Sequence, residues 1–170
     1  MLDRRPLEKK LSSCRIGITG ASGELGRALT RDLQEKGAFI VGLTHKKIES
    51  VNNPDAGPQE WVNWQCGEES ALDKTLEKLD ILVINHGINP QGRQSAEDLS
   101  QSLEINALSS WRLLKRFEVI ALKNAKDSQS REVWVNTSEA EIQPALSLGY
   151  ELSKRLIGQL VSLRWNNLKK

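Results

Sequence analysis

From Cys14 onward, short apolar runs alternate with longer stretches in which apolar residues recur every three or four positions. CRIGIT (14–19), AFIVGL (38–43), EWVNWQC (60–66), DILVIN (80–85) and REVWVNTS (131–138) predict five strands. The unbroken apolar run of 80–85 suits a strand covered on both faces. Leu25, Ala28, Leu29 and Leu33 predict one stripe of a helix ending near Gly37, and a short helix is expected over 69–79. Helical period returns from about Ala96 to Lys123 through Leu99, Leu103, Leu108, Trp111, Leu114 and Leu122, as one helix or two. A last helix from Leu148 to about Leu168 carries Leu152, Leu156, Leu160 and Leu163. Strands alternating with helices at these spacings make βαβ units, whose right-handed crossovers build a parallel sheet with helices on both faces, a doubly wound α/β architecture. No internal repeat or low-complexity tract competes with it.

The 170 residues amount to one ordinary domain, and 38% hydrophobic with 27% charged residues is a globular balance. Residues 1–13 mix charge with a proline and no sustained period, which suits an arm or the end of a linker, leaving 14–170 as the domain. A net charge of +2 offers no field that would collect nucleic acid. No apolar stretch is long enough to enter and span a bilayer, and the polar N-terminus is unlike a signal peptide, so a cytoplasmic location is expected. Cys14 and Cys66 make neither a disulfide framework nor a CxxC zinc pattern, so no metal is expected.

Between the first strand and the first helix lies TGASGELG: Thr19, Gly20, Ala21, Ser22, Gly23, Glu24, Leu25 and Gly26. Glycines there let backbone approach a pyrophosphate while the helix N-terminus faces the anion, and a third glycine lets helix and strand pack closely. The same loop read blandly is a turn that merely starts a helix; its strand-and-helix setting favours nucleotide binding. At the end of the second strand an NAD site usually has an acidic residue for the ribose hydroxyls. Here stand Thr44, His45, Lys46 and Lys47, with no carboxylate before Glu49. Two cations without a repelling carboxylate favour NADP, with NAD as the alternative.

Tyr150 is the single tyrosine, and Lys154 follows four residues later in a helical segment, on the same face. Ser138 lies at the end of the fifth strand, twelve positions earlier, where open α/β sheets bind ligands. A free phenol with a pKa of about 10 is a poor acid or base at neutral pH, and a neighbouring ammonium favours its phenolate. With INHG (84–87) and Asn106 in the long helix, these residues resemble the short-chain dehydrogenase/reductase family from about Cys14 to the end of the chain. The resemblance implies a Rossmann-like sheet in the order 3-2-1-4-5 and hydride exchange between a nicotinamide and a carbonyl or alcohol. It implies a catalytic set in which Tyr150 is the acid/base, Ser138 holds the substrate oxygen, Lys154 binds the nicotinamide ribose and tunes Tyr150, and Asn106 supports a relay water. It implies a cofactor cleft lined by Thr19, Gly20, Ser22, Gly23, Glu24, Leu25, Gly26, Thr44, His45, Lys46, Asn85, His86 and Gly87, with Tyr150 and Lys154.

The chain departs from that pattern in places. GxxGxxG is closer to the extended or atypical branches, INHG has Ile84 and His86 in place of Asn and Ala, and Cys66–Gly67 stand where an acidic adenine contact is common. Family members continue past the Tyr–Lys helix into two more strands and a substrate cover, whereas this sequence stops at Lys170. Low turnover alone, and a second subunit or a fused domain over the edge of the fifth strand, are therefore expected. The alternative function is a nucleotide-binding regulatory or fused module with little catalysis of its own.

Overall fold

The computed structural model describes residues 11–51, 57–91, 95–123 and 131–168. Most of the arm read over 1–13, and the loop residues Asn52–Pro54, lie outside them. Two compact units emerge, one from residues up to Asn85 with Arg116–Val135, the other from His86–Lys115 with Asn136–Lys170.

The first unit holds the whole sheet. Strands β1 (Arg15–Thr19), β2 (Phe39–Thr44), β3 (Glu60–Asn63), β4 (Ile81–Ile84) and β5 (Glu132–Val135) lie in the order β3-β2-β1-β4-β5, every pair parallel. Ile16 is opposite Ile40 on one side and Ile81 on the other, and Val83 is opposite Trp134. Helix α1 (Glu24–Glu35) connects β1 to β2, and a short helix α2 (Ile48–Val51) follows β2. A 3₁₀ turn, Glu69–Leu72, runs into α3 (Asp73–Leu76) before β4. Ile16, Ile18, Leu33, Ile40, Ile81 and Val83 form the core cluster, and each such side chain stabilises the fold by about 1.5–3 kcal/mol on burial. Leu11 joins this cluster and the Ser13 amide donates to the Gly37 carbonyl, so the chain is already packed on the sheet three residues before the first predicted strand.

Helix α1 ends as its sequence implies. The amides of Gly37 and Ala38 donate to the Gln34 and Leu33 carbonyls, the paired bonds of a Schellman stop. Its buried face differs from the leucine stripe read in the sequence: Gly26, Thr30 and Leu33 face inward, whereas Leu25 is half exposed and Ala28 is exposed. The cause is Gly26, which must lie against the β1–α1 loop and so sets the helix rotation.

In the second unit, α4 (Ala96–Leu103) starts with a capping box between Ser95 and Asp98, continues through a π-helical turn, Glu104–Ser109, and passes into α5 (Ser110–Lys123), whose residues from Arg116 on belong to the first unit. The 96–123 run is thus one helical path with a change of winding. Strand β5 stops at Val135, short of the predicted end at Ser138, because Ser138 turns the chain: its hydroxyl accepts from the Ala140 amide and caps the 3₁₀ turn Glu139–Glu141. Helix α6 (Leu148–Leu168) buries Gly149, Ser153, Lys154, Ile157 and Gly158, and turns Leu152 and Leu163 outward with Leu156 and Leu160 only partly covered. The four leucines therefore lie off the most buried side of that helix.

The Arg116 guanidinium brackets the Asp73 carboxylate, with Nε donating to Oδ1 at 2.8 Å, and this hydrogen bond holds the Asp73 pKa below the ordinary 3.8. A depressed carboxylate pKa stabilises the fold above the unfolded value and loses that contribution as pH falls through the native one. Asp73→Asn should therefore lower stability at neutral pH, with the gap to wild type closing below pH 3.8. Urea titrations across the acid range check this; a gap that widens on acidification contradicts it.

Candidate active site

The glycine loop follows β1, which has β2 on one side and β4 on the other, so the loop opens where strand order reverses. In open α/β sheets that position holds ligands. Thr19, buried at the end of β1, donates from Oγ1 to the Val83 carbonyl at 3.4 Å and accepts from the Asn85 amide at 2.8 Å, tying the ends of β1 and β4 together. Gly20 has φ +65°, the left-handed region, and its amide donates to Leu43. Gly23 caps α1 without a side-chain bond, and the first ladder bond runs from the Arg27 amide to its carbonyl. The amides of Glu24, Leu25 and Gly26 thus precede the helical ladder. A Cβ on Gly26 would lie 2.2 Å from the Gly20 carbonyl oxygen, a position no side chain can take.

Ser22 and Thr44, both buried, share a hydroxyl hydrogen bond of 3.1 Å, and Thr44 Oγ1 also accepts the Lys46 amide. The loop is thereby linked to the turn after β2, where His45, Lys46 and Lys47 are exposed. Arg27, unmarked by the sequence reading, donates to the Ser22 carbonyl at 2.7 Å and braces the loop from the helix side.

The second unit brings Gly87, Asn106, Tyr150 and Lys154 together. Lys154 is only 5% exposed; its Nζ lies 5.7 Å from the centre of the Tyr150 ring and donates to the Asn136 carbonyl at 3.4 Å. Burial pushes the Lys154 pKa below the ordinary 10.5. A Cβ on Gly87 would meet Asn106 Oδ1 at 2.9 Å and Lys154 Nζ at 3.9 Å, so this glycine allows the turn after β4 to approach both. Asn106, 1% exposed in the π-helical turn, accepts from the Ile88 amide and donates to the Ile88 carbonyl and to Ser153 Oγ. Both amide hydrogens of its side chain are used within the protein. Ser138 enters through its 3₁₀ cap, half-buried. The sequence reading passed over Ser153 and the π turn; the serine inside YELSK (150–154) was the available signal for the first, and hydrophobic period carries none for the second.

The first unit thus carries a reversal-point glycine loop and an exposed basic turn after β2, and the second carries a buried lysine beside a half-buried tyrosine, the features on which the resemblance read in the sequence rests. Comparison with known proteins agrees. Residues 16–161 match the NAD dependent epimerase/dehydratase family, and the chain belongs to that family. A monoglucosyldiacylglycerol epimerase of Synechocystis is 36% identical over 156 residues, covering 91% of this chain and 38% of that protein. A 3-oxoacyl-(acyl-carrier-protein) reductase of Rickettsia bellii is 37% identical over 97 residues, 52% of this chain and 40% of the reductase. The chain thus spans about two fifths of the length of these curated relatives. Among solved structures, a metagenomic short-chain oxidoreductase in complex with NADP aligns with TM-score 0.76 at 21% identity, over 94% of this chain and 78% of its own. A short-chain dehydrogenase from Leptospira borgpetersenii with bound NAD+ gives 0.74 at 15%, over 94% and 66%. At such identities these likenesses establish the fold.

The residues fit a dinucleotide at the loop: a helix start without a side-chain cap, and a glycine cradle that a Cβ would fill. Two predictions follow from the geometry. Gly26→Ala should destabilise the first unit by about 1–3 kcal/mol, because the loop backbone must move; chemical denaturation measures it. Lys154→Met should equal or exceed wild-type stability at neutral pH. A lysine whose native pKa is lowered destabilises the fold below that pKa, and the penalty is relieved as pH rises toward 10.5. The variant's advantage should therefore shrink on the alkaline side, and a loss of stability at pH 7 would contradict the reading of Lys154 as an internal cost.

Proposed function

We propose that this chain is the NAD(P)-binding portion of an oxidoreductase acting at a carbon that bears a hydroxyl or carbonyl, with NADP preferred. The observation that carries the proposal is the buried Lys154 ammonium beside the only phenol in the chain. Hydrophobic packing does not require a lysine there, and desolvation works against it. Acid–base chemistry does require one, because a phenol exchanges protons near neutral pH only where a nearby cation favours its anion.

The diphosphate is assigned to the amides of Glu24, Leu25 and Gly26 with the backbone of Gly20 and Gly23, Ser22 lending its hydroxyl. Thr44, His45 and Lys46 serve the adenosine end, where the lysine favours a 2′-phosphate. Asn85, His86 and Gly87 serve the nicotinamide end. The bound coenzyme supplies or accepts a hydride. Tyr150 donates a proton to the carbonyl oxygen in reduction and takes it back in oxidation. Ser138 holds that oxygen by a hydrogen bond and shares its developing charge. Lys154 binds the ribose and keeps positive charge beside the phenol. Asn106 holds the backbone of Ile88 and hence the Gly87 turn. Small-molecule substrate, soluble setting and an oligomeric or fused partner belong to the same reading; among the described residues no helix is long and apolar enough to cross a membrane.

The family and the sugar-lipid epimerase likeness favour a second reading, in which oxidation and reduction alternate at one stereocentre and the net product is an epimer. Coenzyme turnover separates the two: a reductase consumes NADPH in step with product, whereas an epimerase does not.

Tyr150→Phe is expected to retain NADPH affinity within about twofold and to lower turnover by roughly a hundredfold or more. Carbonyl-dependent NADPH oxidation, with inversion at the carbinol carbon as the epimerase assay, measures it. Unchanged turnover in the variant would remove Tyr150 from the mechanism.

A further inference from the structure

Ser153 occupies a position that neither hydrophobic period nor the proposed mechanism explains. It is 0% exposed, in a helix where the preceding and following turns carry Gly149 and Ile157 on the same inward face. Its single proton is committed: Oγ donates to the Tyr150 carbonyl at 2.8 Å. Its lone pairs therefore act as acceptor for Asn106 Nδ2 at 2.9 Å. The other Nδ2 hydrogen goes to the Ile88 carbonyl at 2.9 Å, and Oδ1 takes the Ile88 amide at 2.7 Å. Each polar group has a defined direction, and none is interchangeable without breaking another bond.

The path closes on itself. It runs from Tyr150 through its own carbonyl to Ser153, across to Asn106 in the π-helical turn, and on to both backbone groups of Ile88. A Cβ on Gly87, the residue before, would stand 3.9 Å from Lys154 Nζ, and Lys154 is the residue after Ser153. We infer that Ser153 is a positioning residue: it bolts Asn106 to the helix that carries Tyr150 and Lys154, and so holds the Gly87–Ile88 turn at a fixed distance from the Lys154 ammonium. Its relevance to turnover rests on the oxidoreductase reading above; the bolt itself rests on hydrogen bonds alone.

The energetic argument is asymmetric. A buried amide hydrogen with no acceptor retains its full desolvation penalty, so Ser153→Ala leaves Asn106 Nδ2 half satisfied in a site with no exposure to water. The response open to the protein is to let the π turn and the Ile88 turn shift apart from α6. Since the Ile88 amide reports on Asn106 directly, its hydrogen exchange reads the bolt without any assay of catalysis.

The experiment compares amide exchange by NMR in wild type, Ser153→Ala, Asn106→Ala and the double variant, with Ile16 and Ile18 in β1 as internal controls. Ser153→Ala is expected to speed exchange at Ile88 roughly tenfold or more and to leave the β1 amides unchanged. In the Asn106→Ala background the same change should add less than about threefold, because its route through Asn106 is gone. Ser153→Thr, which keeps the acceptor oxygen, should restore protection. Exchange at Ile88 that is unaffected by Ser153→Ala, or a full additional effect in the Asn106→Ala background, overturns the inference. For turnover, Ser153→Ala should lower kcat about tenfold with substrate KM within about twofold; an unchanged kcat overturns the positioning role. If Tyr150→Phe is fully active, the oxidoreductase reading fails while the exchange data still decide the bolt.

Discussion

A lysine ammonium held out of water beside a phenol ring is the constraint around which the second unit is organised. Lys154 has one carbonyl as its hydrogen-bond acceptor among the described residues and no carboxylate among the causes acting on its proton affinity. The unit nevertheless builds a close-fitting environment for it: a glycine without a Cβ at position 87, a winding change that carries Asn106 inward, and a small polar residue, Ser153, next to it on α6. Each of these concessions costs helix or packing stability, and together they keep one cation in one place.

The first unit shows the same preference for backbone proximity over side-chain packing. Gly26 faces the Gly20 carbonyl so closely that the rotation of α1 follows from it, and Leu25 is left half exposed as a result. The Ser22–Thr44 hydrogen bond then makes the loop and the basic turn after β2 one connected piece. On the proposed reading the loop amides take the coenzyme diphosphate, and the tie through Ser22 and Thr44 would lower the entropy cost of binding a flexible dinucleotide.

Much of this was legible in the chain. Five apolar runs located all five strands, and the alternation with helices implied the parallel sheet, because both signals depend on local periodicity. The buried faces of α1 and α6 share a cause that leucine spacing does not show. Leucine spacing marks where apolar side chains lie, but the inward side of a tightly packed helix is chosen by its smallest residues, Gly26 in one case and Gly149, Ser153 and Gly158 in the other. Ser138 and Tyr150–Lys154 could be picked out through their spacing. Ser138 proved to cap a 3₁₀ turn and not to finish a strand, since a hydroxyl competes with the ladder for the backbone. The π turn at Asn106 was invisible because one extra residue in a helical turn alters winding without altering composition.

The account turns on Lys154 serving a nicotinamide dinucleotide and not merely filling space. The most direct measurement is titration with NADPH followed through the chain's five tryptophans, in wild type and in Lys154→Met. The account predicts saturable binding by wild type, with affinity roughly tenfold or more lower in the variant although its fold is at least as stable. Equal affinity in the two proteins, or no binding by a folded wild type at millimolar coenzyme, would contradict it.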